Sequence, residues 1–238
     1  MIRRGIIRFV AVGVAVAGLL FAGVVSATEH GHGAAKGMAP AEAMKLLREG
    51  NERYVTGKRC ANPGVDAAAR EVLTKGQAPF AVVLGCADSR VPPEIIFDQG
   101  LGKLFVVRVA GNLIDPALLG SIEYAALHCG TRLIVVLTHE SCGAVTATVG
   151  ACQHPEAKCE SACIEDLVKR LRPAVEKAQA EKLQGKDLIE EASVLNARMV
   201  AEQITAQSPA LADLAKKGEL RIVPAKYSLT PGKVEFLK

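Results

Sequence analysis

Three short apolar runs mark the middle of the chain: "FAVVLG" at 80–85, "LFVVRVAG" at 104–111 and "LIVVLT" at 133–138. They are rich in β-branched residues and barely alternate with polar ones, as strands covered on both faces of a parallel sheet do. Between the second and third lies "DPALLGSIEYAALHCG" (115–130), a helix with Asp115 as cap, Pro116 in its first turn and Gly130 at its stop. Strand, helix, strand in that order predicts a parallel pair joined by a right-handed crossover. "ELRIVPAKYSLTPGKVEFL" (219–237) predicts a fourth strand, a turn at "TPG" and a short edge strand. Upstream, "PAEAMKLLREGNERYV" (40–55) has apolar residues at helical spacing and a proline where a first turn tolerates one. A second helix is predicted from Asp66 to Lys75, broken by "KGQAP". The reading is an α/β fold: a mostly parallel central sheet of four strands plus an antiparallel edge strand, flanked by helices, with an N-terminal helical arm. The polar stretch "CQHPEAKCESAC" (152–163) reads as a surface loop leading into a helix that begins near Ile164.

The first residues lack this rhythm. Arg3, Arg4 and Arg8 precede an apolar run from Phe9 to Val25, and small residues lead to Ala27, the layout of a secretory signal cleaved after "VSA". An uncleaved anchor helix is the other reading, for which the run falls slightly short of the roughly 20 residues required. The Arg3-Arg4 pair leaves the choice between Sec and twin-arginine export open. Residues 1–27 are thus expected to be a signal peptide, 28–39 a flexible Gly-rich lead-in carrying His30 and His32, and 40–238 a single domain exported to the periplasm. A chain of 238 residues, 50% of them hydrophobic, can bury one domain's core without cysteine staples. Losing Arg3, Arg4 and Arg8 with the leader lowers the formal charge from +4 to +1. No basic surplus then remains for nucleic acid or an anionic membrane, and the absence of Trp argues against a base-stacking platform.

Ligand sites of parallel sheets gather at the carboxyl ends of the strands. Cys86 follows one apolar run and His139 follows another, so both belong to that rim. Cys142 stands three residues after His139 in "HESC", at the start of the next helical stretch. Two thiolates and an imidazole suit Zn²⁺, whose catalytic sites take three protein ligands and leave one position open for water. Each residue alone has a plainer reading, a small buried hydrophobe or a hydrogen-bonded core histidine. Their conjunction with Asp88 and Arg90 in "CADSR" favours a metal. In an extended exit from the strand, Cys86, Asp88 and Arg90 would point the same way, with Arg90 steadying the carboxylate through a paired contact.

With those residues in place, the chain strongly resembles the bacterial β-class carbonic anhydrases. The likeness runs from "LLREGNERYVTGK" through "KGQAPFAVVLGCADSRVPPEIIFDQGLGKLFVVRVAGN" and "GSIEYAALHCGTRLIVVLTHESCGAV" to "KYSLTPGKVEFL". It implies one zinc per chain on Cys86, His139 and Cys142, and reversible hydration of carbon dioxide to bicarbonate by attack of zinc-bound hydroxide. It implies Asp88 and Arg90 as the dyad beside the metal water, with Asp88 also able to swing onto zinc and close the site. It implies Gln77 as a substrate-binding residue that reaches in from a neighbouring subunit. The resemblance further implies a homodimer or a dimer of dimers, with the N-terminal helix embracing the partner.

Some positions depart from the family pattern. Val83 stands where certain members carry a Trp of a non-catalytic bicarbonate pocket, so that pocket is not expected, although Arg108 matches its arginine. Ala87 replaces a commoner Ser, and the cysteine-rich loop has no counterpart. Of the cysteines outside the site, Cys129 reads as a buried thiol. Cys60, Cys152, Cys159 and Cys163 offer up to two disulfides in an oxidising compartment; the other reading is a second metal site from Cys152, His154, Cys159 and Cys163. His128 and His154 are proton-shuttle candidates by residue type only. Two thiolates cancel the formal charge of Zn²⁺, so full activity is expected at higher pH than in a three-histidine site, whose water has a pKa of about 7. Rival functions on the same residues are hydrolysis of CS₂ or COS and non-catalytic zinc or bicarbonate binding. A thiol-disulfide role would call for a Cys-x-x-Cys pair that the sequence lacks.

Overall fold

A computed structural model describes residues 37–61 and 63–238. The expected signal peptide and the lead-in as far as residue 36, with His30 and His32, lie outside the described residues. Among the described residues no helix is long and apolar enough to cross a membrane.

The strands are β1 (Ala81–Gly85), β2 (Leu104–Arg108), β3 (Leu133–His139), β4 (Arg221–Tyr227) and β5 (Val234–Phe236), in the order β2-β1-β3-β4-β5. All neighbours are parallel except β4 and β5. Every residue of β1 and β3 is buried, which is why their sequences show no alternation. Pro224 sits inside β4. Its carbonyl accepts from the Leu237 amide, so its missing N–H falls on the side of the short edge strand, where a proline is tolerated.

The helices are α1 (Pro40–Val55), α2 (Ala67–Leu73), α3 (Pro93–Ile96), α4 (Pro116–Leu127), α5 (Gly143–Gln153), α6 (Ala162–Ala180), α7 (Gly185–Gln207) and α8 (Pro209–Lys216). As its sequence predicts, α4 starts on the Asp115 side chain, which accepts from the Leu118 amide, and stops before the left-handed Gly130. One face of the sheet packs on α1, α5 and α6, and the other on α4, α8 and the C-terminal half of α7.

Helix α1 buries Ala43, Met44 and Leu47 on this chain's own core rather than holding that face out for a partner. Asn51 locks it there: its amide donates to the Ile96 and Gly232 carbonyls at 3.1 and 2.9 Å and accepts from the Val234 amide at 2.8 Å. Helix α7, which the apolar pattern does not single out, joins both cores. Leu188, Ala192 and Leu195 face one cluster and Ala197, Val200 and Ile204 the other, so burial sweeps around the helix and no single stripe stands out. The cysteine-rich loop is shorter than its polarity predicts, because α5 runs on to Gln153 and α6 begins at Ala162. Only 154–161 are irregular. The polar faces of two exposed helix ends account for the rest.

From β1 the chain passes to β2 on one side, and from β2 it returns to β3 on the other. The crevice at the carboxyl ends of β1 and β3 is therefore the topological switch point of the sheet, where such folds bind ligands.

Candidate metal centre

Cys86 leaves the end of β1, His139 is the last residue of β3, and Cys142 caps α5. Their ligand atoms lie within 4.8 Å of one another, with the two sulfurs 4.0 Å apart. All three side chains are buried. His139 Nδ1 lies 2.8 Å from the Glu140 carbonyl, a contact that requires the proton on Nδ1. That leaves Nε2 as a bare lone pair facing the sulfurs, and it is buried without a hydrogen-bond partner. A buried, unsatisfied ring nitrogen costs free energy unless something fills the space before it. Two sulfurs and one nitrogen converging on that space form the donor set that Zn²⁺ prefers, so these residues fit the ion.

The thiols share one negative charge. Cys86 is drawn well below the usual thiol range, chiefly by the hydrogen bond from Cys142 against the upward push of burial, with His139 and the Asp88 and Gly111 amides helping. Cys142 is pushed up by the same shared hydrogen bond and by burial, although the α5 amides of Val145 and Ala144 pull the other way. Burial pushes His139 down, but the nearby Cys86 sulfur, the Glu140 carbonyl and the Asp88 carboxylate outweigh that and raise it. A dication must displace the protons that remain, so metal affinity weakens as pH falls.

Gly111 belongs to the 3-10 turn Ala110–Asn112 that follows β2, and its N–H points at the Cys86 sulfur, 3.4 Å away. The residue lies at φ +73°, and a Cβ there would stand 2.9 Å from Leu171 Cδ1. The left-handed backbone is what favours glycine, and a Cβ would also force the end of the Leu171 side chain to shift. Arg108 serves the same segment from β2: its Nε donates to the Cys86 carbonyl at 2.8 Å and its Nη2 to the Asp88 carbonyl at 2.6 Å. The arginine that the resemblance assigns to a bicarbonate pocket here holds the backbone of the ligand loop. Val83 is wholly buried in β1.

Asp88 and Arg90 do pair, but not by strand alternation. The chain turns at Asp88, whose carbonyl accepts from the Val91 amide and whose Oδ1 accepts from the Arg90 amide at 2.9 Å. This side-chain turn folds Arg90 back over the carboxylate, with Nε 2.9 Å from Oδ1 and Nη2 2.7 Å from Oδ2. The Arg90 hydrogen bonds hold the Asp88 carboxyl far below the usual carboxylate range, despite partial burial. Asp88 Oδ2 stands 3.9 Å from His139 Nε2, so an ionised acceptor borders the space the three ligands enclose.

Gln77 is exposed in the stretch between α2 and β1. His128 ends α4 and stacks on Tyr124 at 5.1 Å, while the exposed His154 lies 3.6 Å from Glu156. Cys86, Cys129, Cys142, Cys152, Cys159 and Cys163 are free thiols, and Cys129 is half-buried. Among the described residues the Cys86, His139 and Cys142 set is the only such ligand group, so Cys152, His154, Cys159 and Cys163 do not form a second one.

The carbonic anhydrase family profile matches residues 81–234. Carbonic anhydrase 2 of Mycobacterium tuberculosis (strain CDC 1551 / Oshkosh) is 43% identical over 194 residues, covering 82% of this chain and 91% of that protein. A carbonic anhydrase of Mycolicibacterium smegmatis is 42% identical over 197 residues, covering 83% and 93%. Among solved structures, the β-carbonic anhydrase CcaA superposes with a TM-score of 0.66 at 26% identity, covering 82% of this chain and 95% of that one. A Coccomyxa β-carbonic anhydrase in complex with acetazolamide gives 0.61 at 27% identity, covering 71% and 81%. The chain therefore belongs to the carbonic anhydrase family, in its β class, and is an enzyme of zinc-dependent carbon dioxide hydration.

Proposed function

We propose that Cys86, His139 and Cys142 hold the zinc and that Asp88 and Arg90 are the catalytic pair beside it, in an exported enzyme that works as a dimer. The observation that carries the site is the buried, unpartnered His139 Nε2 facing two sulfurs. When bound, Zn²⁺ would supply a Lewis acid that makes water a nucleophile, with the two thiolates moving that ionisation to higher pH than in a three-histidine site. Asp88, kept ionised by Arg90, would accept a hydrogen bond at Oδ2 from the O–H of the nucleophile and so fix the direction of its free lone pair toward carbon. Arg90 holds that carboxylate by two parallel contacts, and its Nη2 also donates to the Ser141 carbonyl at 3.2 Å. His139 keeps its proton on Nδ1 through the Glu140 carbonyl, which presents Nε2 to the metal. Arg108 and the Gly111 amide keep the Cys86 sulfur and the Asp88 turn in register.

Gln77 would serve a second subunit's substrate. It is exposed, and so are the apolar side chains of Val65, Val72, Ile95 and Leu101, at 50, 69, 45 and 44%. With Tyr124 and Leu127 also exposed, a homodimer covers surface that a monomer leaves in water. Export rests on the arginines, apolar run and "VSA" of residues 1–27. N-terminal sequencing of protein from a periplasmic fraction should begin at Thr28; a chain starting at Met1 in the membrane fraction would contradict this.

The site is tested by stopped-flow CO₂ hydration, with CS₂ turnover measured in parallel. Turnover should follow zinc content, vanish on chelation and fall by roughly 100-fold in Asp88→Ala. Full activity in Asp88→Ala, or turnover of CS₂ alone, would overturn the reading.

A further inference from the structure

The loop between the second and third ligands is short and strained, since Ser141 stands at φ +52° between His139 and Cys142. A non-glycine residue holds the left-handed region only when its surroundings insist on it. Here every backbone polar group of residues 140 and 141 has a partner. The Glu140 amide donates to the Tyr227 carbonyl at 3.0 Å, and the Glu140 carbonyl meets His139 Nδ1. The Ser141 carbonyl accepts from Arg90 Nη2. The Ser141 amide donates to Glu190 Oε1 at 3.0 Å, a contact that comes from α7, 49 residues away. Glu190 is itself held by Lys226 of β4, whose Nζ lies 2.6 Å from Oε2 as an ion pair outside hydrogen-bond angles. Both side chains are largely shielded, at 14% and 20% exposure.

We infer that Glu190 is a positioning residue for the Arg90–Asp88 pair, acting through the backbone of Ser141. The chain of contacts is continuous: Glu190 fixes the Ser141 peptide, whose carbonyl fixes the Arg90 guanidinium, which clamps both oxygens of Asp88. Arg90 is half exposed, so its own side chain has few other restraints. Without Glu190 the Ser141 amide loses its acceptor, one of the four contacts that hold φ positive, and relaxation toward negative φ rotates the carbonyl away from Arg90. Lys226 aims Glu190, but the amide contact does the positioning. The inference rests on the proposed roles of Asp88 and Arg90 and extends them to α7.

The test compares Glu190→Ala, Glu190→Gln and Glu190→Asp in the zinc-loaded full chain. Gln keeps an oxygen acceptor without the charge, whereas Asp keeps the charge but is too short to reach Ser141. Glu190→Ala should lower kcat about tenfold, as loss of a charge-assisted hydrogen bond implies, with zinc content unchanged. KM should stay within about twofold, because substrate contacts are not removed. Glu190→Gln should recover most of the loss and Glu190→Asp little of it. Hydrogen exchange at the Ser141 amide should quicken in the Ala and Asp variants and stay slow in Gln. If Ala folds poorly, the contrast between Gln and Asp decides. Asp matching the wild type, Gln as damaged as Ala, or unchanged Ser141 exchange would each overturn the inference. Wild-type CO₂ turnover tests the reading of the site, while amide exchange tests this chain of contacts whether or not that reading holds.

Discussion

Arg108→Met removes the guanidinium that spans the Cys86 and Asp88 carbonyls while keeping the length and apolar stem of the side chain. Two hydrogen bonds are lost, of 2.8 and 2.6 Å. Charge-assisted bonds contribute about 1.5–3 kcal/mol each, and Arg108 is only half-buried, so the low end applies and about 3 kcal/mol is expected in total. The Cys86 carbonyl pays most, since Cys86 is 4% exposed and water reaches it poorly. The same loosening spreads to the sulfur, because one residue carries both the carbonyl and the ligand. Second-sphere losses of this kind weaken metal affinity by about 10–100-fold. Urea unfolding of zinc-loaded protein should show the stability loss at unchanged m, and chelator competition should show the weaker retention. Arg108→Lys should rescue little, as an ammonium cannot span two carbonyls in a fixed fork. A midpoint shift worth under about 0.5 kcal/mol with unchanged zinc retention would refute the reasoning.

Three further outcomes are expected. Gly111→Ala forces a side chain into the left-handed region and against Leu171, which should cost about 2–4 kcal/mol in urea unfolding; a loss below about 1 kcal/mol would show that the turn adapts. Burial pushes the Asp98 carboxyl up, but Arg53, the Cys60 amide and Arg59 outweigh it and leave a net lowering. Its stabilisation is then complete above the unfolded value of about 4 and is lost as pH falls through the lower folded one. The stability gap between wild type and Asp98→Asn should narrow over that acid range, and a gap independent of pH would contradict the assignment. Because two thiolates offset the charge of zinc, CO₂ hydration should rise from neutral to alkaline pH, and a rate already flat from slightly acid pH would count against that charge balance.

The strands β1 and β3 are legible in the sequence because burial on both faces leaves unbroken apolar runs. Helix α7 is not, since Leu188 and Val200 belong to different cores and its apolar positions wrap around the axis. The cysteine-rich segment looks longer as a loop than it is, because exposed helix ends are as polar as loops. At the site, Cys86 and His139 can be read from strand ends and Cys142 from its spacing, which are local signals. The Asp88–Arg90 contact is legible as nearness, yet its geometry comes from a side-chain turn rather than from strand alternation. Arg108, Gly111 and Glu190 act through backbone groups of segments remote in sequence, and no spacing rule encodes such contacts. Positive φ at Gly111 is the only one with a local clue, the glycine itself.

X-ray absorption at the zinc edge of the purified protein bears most directly on the central claim. The account predicts one zinc per chain with two sulfurs at about 2.3 Å and one nitrogen at about 2.0–2.1 Å, plus a light atom in the open position. A shell with no sulfur, or Cys86 and Cys142 recovered as a disulfide in active enzyme, would contradict it.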